Sequence, residues 1–526
     1  MKRRHLIIGK TKLYLLLVFV LSFWTTKAYS SNFSDVCSAR QILQCNNAFS
    51  VSANFSEIVV GSVPTVAKFF NSTVDRKWST PGNWSNGTLP TATDNVFIDG
   101  DCELDCDATV ASLSVLAGKS ITILKDKILN VTDAITTTEV NQLVIEDGGQ
   151  LVHDNAGVLA TVQKNISRSP GVENGHWYLI ASPVIDNDSV ENLTVNDYGF
   201  YSFDQSGNPK WIEQSENVAV EYKKGYLYAT VEEVTLAFKG TLAAVAEPTP
   251  LEYEEDAEFA GFNLVGNPYP CNAYVGNSFY RMNADGNSLI AETGVISPCE
   301  SVFVEATADG QYAEFGKTAM APELIKVSLA DGNGALIDQA LVRFDGKADL
   351  HKMLFDGECT RIYVHQDDEN LASFSTFLEE GSLPLHFKAI ENGNYTLSFS
   401  VENLEIKYLH LVDNITGADV DVMAGQSAYT FSASTSDYAS RFKLMFNLTG
   451  VEENDASISS EGFAYMSNGN LVVDDIKGEA TLQIIDMTGR TVISENVKDS
   501  YNKALNLRAG MYVVRMKGML QKIVVK

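Results

Sequence analysis

The sequence predicts an all-β protein that is divided into several domains. Short runs rich in Val, Ile, Thr, Tyr and Phe, such as residues 120–124, 395–401 and 510–516, alternate with turns rich in Gly, Asn and Asp. No long stretch keeps the period of a helix. At about 150 residues per domain, the 526 residues allow three or four domains. We therefore expect a short β-solenoid-like unit, then β-sandwich units, and a small Ig-like β-sandwich at the C-terminus.

The first thirty residues predict a signal peptide. Lys2, Arg3 and Arg4 form a basic start, residues 13–24 are an apolar run, and residues 28–30 offer small side chains for cleavage. The apolar run is shorter than the roughly 20 residues that a spanning helix needs, and no later stretch reaches that length. We expect export to the periplasm, and a mature chain without a transmembrane helix.

The following domains are predicted in chain order. After an N-terminal segment at 31–74, short strands recur at spacings near 20 across residues 75–168. Such stacked coils bury an apolar interior together, which favours a parallel β-solenoid, with a sandwich as the alternative. Residues 169–321 form an aromatic-rich β domain, and the clean alternation in residues 322–448 predicts an antiparallel sandwich.

A polar, acidic stretch at residues 449–462 predicts a flexible linker. Residues 463–526 are a last set of short strands. Within them, residues 487–490 predict a hairpin turn in which Gly489 takes a positive φ.

This last unit resembles the type A C-terminal sorting domain of type IX secretion substrates. The resemblance rests on residues 470–473, 480–492, 507–515 and 521–526, in that order and spacing. The matching motif residues are Asp486, Gly489, Arg490, Leu507, Gly510, Tyr512, Val513 and Lys522.

The resemblance implies a route and two partners. A type IX translocon would carry the chain across the outer membrane, and a sortase-like protease would cut within residues 449–462. The product would be secreted or attached to the cell surface. The segment from Trp78 to Trp84 is similar to repeated segments in adhesin-like surface proteins of bacteria that use this system. Residues 266–270 resemble segments of large uncharacterised cell-surface proteins of these bacteria. We expect an adhesin or binding protein for a glycan or host surface; the alternatives are a secreted carbohydrate-active hydrolase and a structural surface-coat protein.

Charge and motifs narrow the function classes. The formal charge of −28 excludes a nucleic-acid partner, since such binding depends on Lys and Arg replacing the counterions of phosphates. The chain contains no G-x-S-x-G elbow, H-E-x-x-H motif or phosphate-binding loop, so we assign no catalytic residue and do not favour an enzyme.

Acidic residues at positions 99, 101, 103, 105 and 107 alternate, which would place them on one face of an extended segment. Such a face suits a solvated edge, a weak calcium site or a glycosidase carboxylate pair. The candidate calcium ligands are Asp99 and Asp101, together with Asp331 and Asn333 in a separate turn. No other cofactor is predicted.

Cysteines and aromatic residues complete the candidates. Export permits disulfides, and proximity suggests three pairs, which the sequence does not fix: Cys37–Cys45, Cys102–Cys106 and Cys271–Cys299.

Seven aromatic residues would stack on sugar rings if exposed, or fill cores if buried: Trp78, Trp84, Trp177, Tyr178, Trp211, Tyr226 and Tyr228.

Overall fold

The structure, a computed structural model, describes most of the chain from residue 66 onward. The described residues are 66–169, 176–186, 190–194, 197–215, 219–354, 357–378, 380–423, 427–448, 464–467, 470–486, 490–508, 510–516 and 519–525. Their regular structure consists of β-strands and one short 3₁₀ turn at Pro81–Asn83, which confirms the all-β class. No helix in these ranges is long and apolar enough to cross a membrane. The predicted signal peptide and linker lie outside the described residues.

The first nine strands form two parallel sheets. They are β1 Ala67–Phe70, β2 Asn95–Ile98, β3 Cys102–Leu104, β4 Ala108–Val115, β5 Ile121–Ile123, β6 Ile128–Thr136, β7 Leu143–Ile145, β8 Gln150–Val152 and β9 Leu159–Ile166. One sheet runs β1-β2-β4-β6-β8, and the other contains β3-β5-β7-β9. From β2 onward, consecutive strands enter the two sheets alternately, so the chain winds as a coil. The β-solenoid prediction is therefore confirmed over the sandwich alternative.

Aliphatic side chains fill the interior of the coils. Ile121 lies opposite Leu143 in the parallel register, and both are fully buried. One polar side chain, Gln142, is also buried, at 3% exposure. It forms hydrogen bonds with the backbone of two neighbouring coils. Its Oε1 accepts the backbone N–H of Thr138 at 2.5 Å, and its Nε2 donates to the carbonyl of Leu116 at 3.0 Å. The interior is thus apolar along the strands and hydrogen-bonded at the corners.

The second unit is built directly on this stack. Its strands are β10 Tyr178–Ala181, β11 Val190–Glu191, β12 Tyr198–Phe203, β13 Trp211–Glu213, β14 Gly225–Thr230, β15 Val234–Thr241, β16 Thr249–Pro250, β17 Phe262–Gly266, β18 Ala273–Tyr274, β19 Phe279–Met282, β20 Leu289–Glu292, β21 Val295–Ile296, β22 Ser301–Glu305 and β23 Tyr312–Ala313. Strand β15 pairs antiparallel with β9 over its whole length, and β11 extends the same sheet. The parallel stack therefore continues into this unit across residue 168, where the sequence predicted a boundary.

Two four-stranded antiparallel sheets form the rest of the second unit, in the orders β10-β14-β12-β13 and β17-β22-β19-β20. Aromatic and aliphatic side chains from both sheets share one core, which includes Leu227, Phe262, Tyr280 and Phe303. Two strand pairs, β16 with β23 and β18 with β21, lie beside them. The aromatic composition of this unit thus fills its interior.

The third unit is a single eleven-stranded sheet. Its strands are β24 Leu324–Ala330, β25 Leu336–Arg343, β26 Leu350–His351, β27 Arg361–Gln366, β28 Glu369–Ser375, β29 Glu380–Lys388, β30 Gly393–Glu402, β31 Tyr408–Asp413, β32 Ala418–Asp421, β33 Ala428–Ala433 and β34 Phe442–Asn447. Its pairs are antiparallel except for β25 with β28. Strands from both halves of the ladder share one core, so the sheet is folded over like a sandwich.

The last unit is a small antiparallel sheet. Its strands are β35 Ala464–Ser467, β36 Asn470–Asp486, β37 Thr491–Ala504, β38 Gly510–Met516 and β39 Met519–Val525. The register of the long β36–β37 pair shifts between Val473 and Ile476 and again before Ala480. The first half of β36 pairs with β35 and the second half with β38, and both halves contribute to one core. The unit is thus one antiparallel sheet with a shared core, and β36 and β37, at 17 and 14 residues, are longer than the short strands that the sequence predicted.

Candidate functional site

The hairpin between β36 and β37 is closed by a pair of charged residues. The backbone N–H of Asp486 donates to the carbonyl of Arg490 at 2.9 Å, and the N–H of Arg490 donates to Asp486 Oδ1 at 3.1 Å. The guanidinium also donates to Asp486 Oδ2, with Nε at 3.1 Å and the terminal nitrogen at 3.0 Å. Gly489 lies outside the described residues. The spacing of four residues thus lets the Arg490 side chain bind the Asp486 carboxylate across the turn.

The other motif residues lie around this hairpin or on the neighbouring strands. Tyr512 is directly opposite Asp486 in the β36–β38 register, and its hydroxyl donates to the carbonyl of Arg508 at 3.0 Å. Leu507 packs against the core of the unit, and Gly510 begins β38. Val513 is opposite Lys522 in the β38–β39 register. The structure therefore brings Asp486, Arg490 and Tyr512 together and places Val513 and Lys522 one strand further on.

The alternating acids of the first unit lie on the outer face of the coil. Cys102 and Leu104 between them are fully buried, whereas Asp99, Asp101 and Asp107 are exposed. The predicted alternation is therefore present.

Three of these acids, Asp101, Asp105 and Asp107, accept hydrogen bonds from neighbouring segments of the chain. Asp105 accepts the N–H and hydroxyl of Ser79 at 2.9 and 2.7 Å, and Asp107 accepts the N–H of Ile128 at 2.9 Å. Burial alone would raise the pKa of Asp105, but the bonds from Ser79 outweigh it and hold the pKa below its usual value. Asp101 accepts the Ser120 hydroxyl at 3.0 Å. Their role is therefore to connect coils.

The calcium candidates Asp331 and Asn333 bond each other within one turn. Asp331 Oδ1 accepts the backbone N–H of Asn333 at 2.8 Å and that of Ala335 at 2.9 Å, which makes this segment a turn between β24 and β25. These bonds, that from Ala335 foremost, lower the pKa of Asp331. Across the described ranges, no group of three or more His, Cys, Asp or Glu side chains is arranged to hold a metal ion.

Two of the suggested disulfide pairs are not formed in this structure, where the five described cysteines are free thiols. Cys102 points into the coil interior at the start of β3, and Cys106 lies only partly buried beside that core. Cys299 belongs to the same first core, whereas Cys271 packs with Tyr269 and Ala273 in a separate cluster. Proximity along the chain therefore does not bring the sulfur atoms together. Cys37 and Cys45 lie outside the described residues.

Most of the aromatic candidates are core residues. Trp78 and Trp84 are 1% and 3% exposed and meet edge to face at 4.7 Å, and the Trp84 indole donates to the carbonyl of Trp78 at 2.8 Å. Tyr226 and Tyr228 are fully buried. Trp177, Tyr178 and Trp211 are half-buried. The four buried rings are therefore not available to stack on a sugar.

Sequence reasoning missed a cluster of charged groups at the junction of the second and third units. His351 Nδ1 lies 2.6 Å from Glu305 Oε1, and its Nε2 lies 3.2 Å from Glu369 Oε2. The hydrogen bond with Glu305, foremost, raises the pKa of His351 to about 9. Glu305 ends β22, while His351 ends β26 and Glu369 begins β28. No local spacing links them, because they meet only through tertiary structure.

Comparison with known proteins gives a family and one structural neighbour. Residues 69–334 match the family described as "Domain of unknown function (DUF8693)". A solved structure titled "Biofilm associated protein - BSP domain" is similar at 8% identity over 71% of this chain, with a TM-score of 0.10. The chain spans 65% of that structure, which is less than two thirds of its length. No curated protein matches the sequence.

Proposed function

Since the chain belongs to the family "Domain of unknown function (DUF8693)", whose description assigns no activity, we propose a function from the chain's own features. It is an exported cell-surface or extracellular binding protein of the adhesin kind. The type IX translocon delivers it, and the last unit is its sorting domain. A sortase-like protease then cuts the linker at residues 449–462 and leaves the first three units as the working protein.

The observation that carries this proposal is the clasped hairpin at Asp486 and Arg490. The two motif residues that flank the turn bond each other through backbone and side-chain atoms, with Tyr512 opposite on the next strand. Arg490 is well exposed, with 77% of its side chain accessible. The translocon could therefore recognise an exposed guanidinium at this end of the unit.

The outer face of the coil supports binding over catalysis. A glycosidase needs two carboxyl groups held on either side of a substrate bond. Asp101, Asp105 and Asp107 instead accept hydrogen bonds from other segments of the same unit. The acidic face is therefore part of the scaffold.

The proposal is tested by the location of the protein in its native host. We expect wild type at the cell surface without its last unit, and a chain lacking residues 463–526 retained in the periplasm. Arg490→Ala should reduce surface delivery severalfold, because it removes the guanidinium that clasps Asp486. Immunoblots of periplasmic and surface fractions, with intact mass of the surface product, measure both.

Lys498→Ala is the matched control, since it also removes an exposed cation from the same unit. It should leave delivery unchanged. Surface delivery of the chain that lacks residues 463–526 would refute the sorting role, as would equal delivery of Arg490→Ala and wild type.

A further inference from the structure

A lysine and an aspartate are buried against each other in the third unit. Lys352 follows β26 and Asp338 lies in β25, and their side chains are only 4% and 3% exposed. The Lys352 Nζ lies 2.5 Å from Asp338 Oδ1. Two opposite charges are costly to remove from water, and their attraction offsets that cost only where further hydrogen bonds satisfy both groups.

The hydrogen bonds of Lys352 are too few for a buried ammonium group. Such a group carries three N–H donors. Across the described ranges, the only acceptor for this one is Asp338 Oδ1. By contrast, Lys326 is 16% exposed and pairs with Glu292 at 2.9 Å and with Glu402 at 3.2 Å. Because native proteins rarely leave buried donors unsatisfied, a nitrogen with fewer donors suits the position of Lys352 better.

The surroundings of Asp338 favour attack on its carboxyl group. Burial raises the pKa of Asp338, although the neighbouring ammonium group and backbone N–H groups act in the opposite direction. The uncharged acid is the form that an amine attacks. Its second oxygen, Oδ2, accepts the N–H of Ile362 at 2.8 Å. A backbone N–H on this oxygen stabilises the negative charge that develops there as a nucleophile adds to Cγ.

We propose that Lys352 and Asp338 join in an intramolecular amide bond. One proton passes from the ammonium nitrogen to Oδ1, and the amine that results attacks Cγ. The bond between Nζ and Cγ forms, the bond between Cγ and Oδ1 breaks, and a second proton moves from the nitrogen to Oδ1, which leaves as water. No group is oxidised or reduced, and no co-reactant is needed. The fold favours the reaction because it holds the two groups in contact.

The bond would secure the junction between the second and third units. The Tyr280 hydroxyl of β19 donates to the carbonyl of His351 at 2.7 Å and accepts the N–H of Met353 at 2.9 Å. These two residues flank Lys352, so an amide to β25 fixes the segment that contacts the second unit. The inference goes beyond the proposed binding role and does not depend on the export route, since the reaction needs only the folded chain.

The test is the mass of the purified, reduced full-length chain and of its tryptic peptides. We expect the intact protein to be about 18 Da lighter than its sequence requires, the mass of one water. Trypsin cuts after Arg343 and Lys347, which separates residues 327–343 from residues 348–361 unless an amide joins them. After digestion of the unfolded protein, these two peptides should appear as one branched species that is uncut at Lys352.

Lys352→Arg is the control, since a guanidinium stays protonated and does not attack the carboxyl group. It should show no loss of water and should release separate peptides. Lys326 is a second control within wild type, where its pairs with two carboxylates should stay ionic and trypsin should cut after it.

Two results would each overturn the inference. One is a wild-type chain that has lost no water. The other is a loss of water with separate peptides, which would indicate ring closure at a single aspartate. Both results are obtained from wild type, so the test holds even where the variant does not fold.

Discussion

His351 of the third unit bonds Glu305 of the second unit and Glu369 of its own unit, and its charge strengthens both contacts. Its pKa is raised to about 9 from 6.5, with the Glu305 hydrogen bond as the main cause. A group whose pKa is raised on folding stabilises the folded state fully below its unfolded pKa. That contribution is lost as the pH rises from about 6.5 through about 9.

We therefore expect His351→Gln to lower the melting temperature at pH 6, and to lower it progressively less towards pH 10. Thermal unfolding at intervals across this range measures the difference from wild type. An equal deficit of His351→Gln at every pH would show that the histidine acts by packing alone.

At the level of single residues, the sequence predicts contacts that are local and misses those that are not. Asp486 and Arg490 are four positions apart, so the turn itself brings them together. Glu305 and His351 are 46 positions apart and meet only when β22 and β26 are packed together. The pair Cys271–Cys299 fails for the related reason that the two side chains enter different cores.

The coils of the first unit depend on the buried amide of Gln142 at their corner. Its oxygen accepts the N–H groups of Thr138 and Glu139, and its nitrogen donates to the carbonyls of Val115 and Leu116. A leucine of similar size would leave these four backbone groups without their partner. A buried polar group that loses its hydrogen bond costs about 1–3 kcal/mol.

Gln142→Leu should therefore reduce the free energy of unfolding by about 2–4 kcal/mol, the cost of leaving several of these groups unpaired. Urea denaturation followed by intrinsic fluorescence measures the change. Gln163→Leu, at a half-buried position on β9, should cost less than about 1 kcal/mol. A smaller loss for Gln142→Leu than for Gln163→Leu would contradict a structural role for this amide.

At the scale of strands, the spacing of short apolar runs and the alternation within them predict the coils, because both depend only on residues close together in the sequence. Strands β2 and β7, at 95–98 and 143–145, lie within residues 75–168, where the sequence predicted recurring short strands. The pairing of β15 with β9 is different, since it joins Thr235 to Asn165, 70 positions apart. A local pattern identifies a strand and its buried face, but it does not specify a distant partner.

The whole molecule has 67 acidic side chains and 39 basic ones, and the excess acidic charges repel one another. Compaction brings these charges closer, so self-repulsion opposes folding and salt screens it. We expect the melting temperature to rise by a few degrees between 10 and 150 mM NaCl. Differential scanning calorimetry at constant pH measures this.

Choline chloride at the same ionic strength is the control, because a bulky monovalent cation screens charge without binding to specific carboxylates. It should reproduce the effect of NaCl. A melting temperature that falls with salt would mean that the ion pairs of the fold outweigh the repulsion.

The length of the parallel stack depends on its number of coils. Adjacent strands of a sheet are about 4.8 Å apart, so each added coil lengthens the stack by one fixed step. Among the strands of the stack, β15 pairs with β9 alone, so this strand pairing involves the last coil and does not depend on how many coils precede it. A chain with one whole coil added or removed would therefore have a stack that is longer or shorter by one step, with the same pairing of β9 and β15.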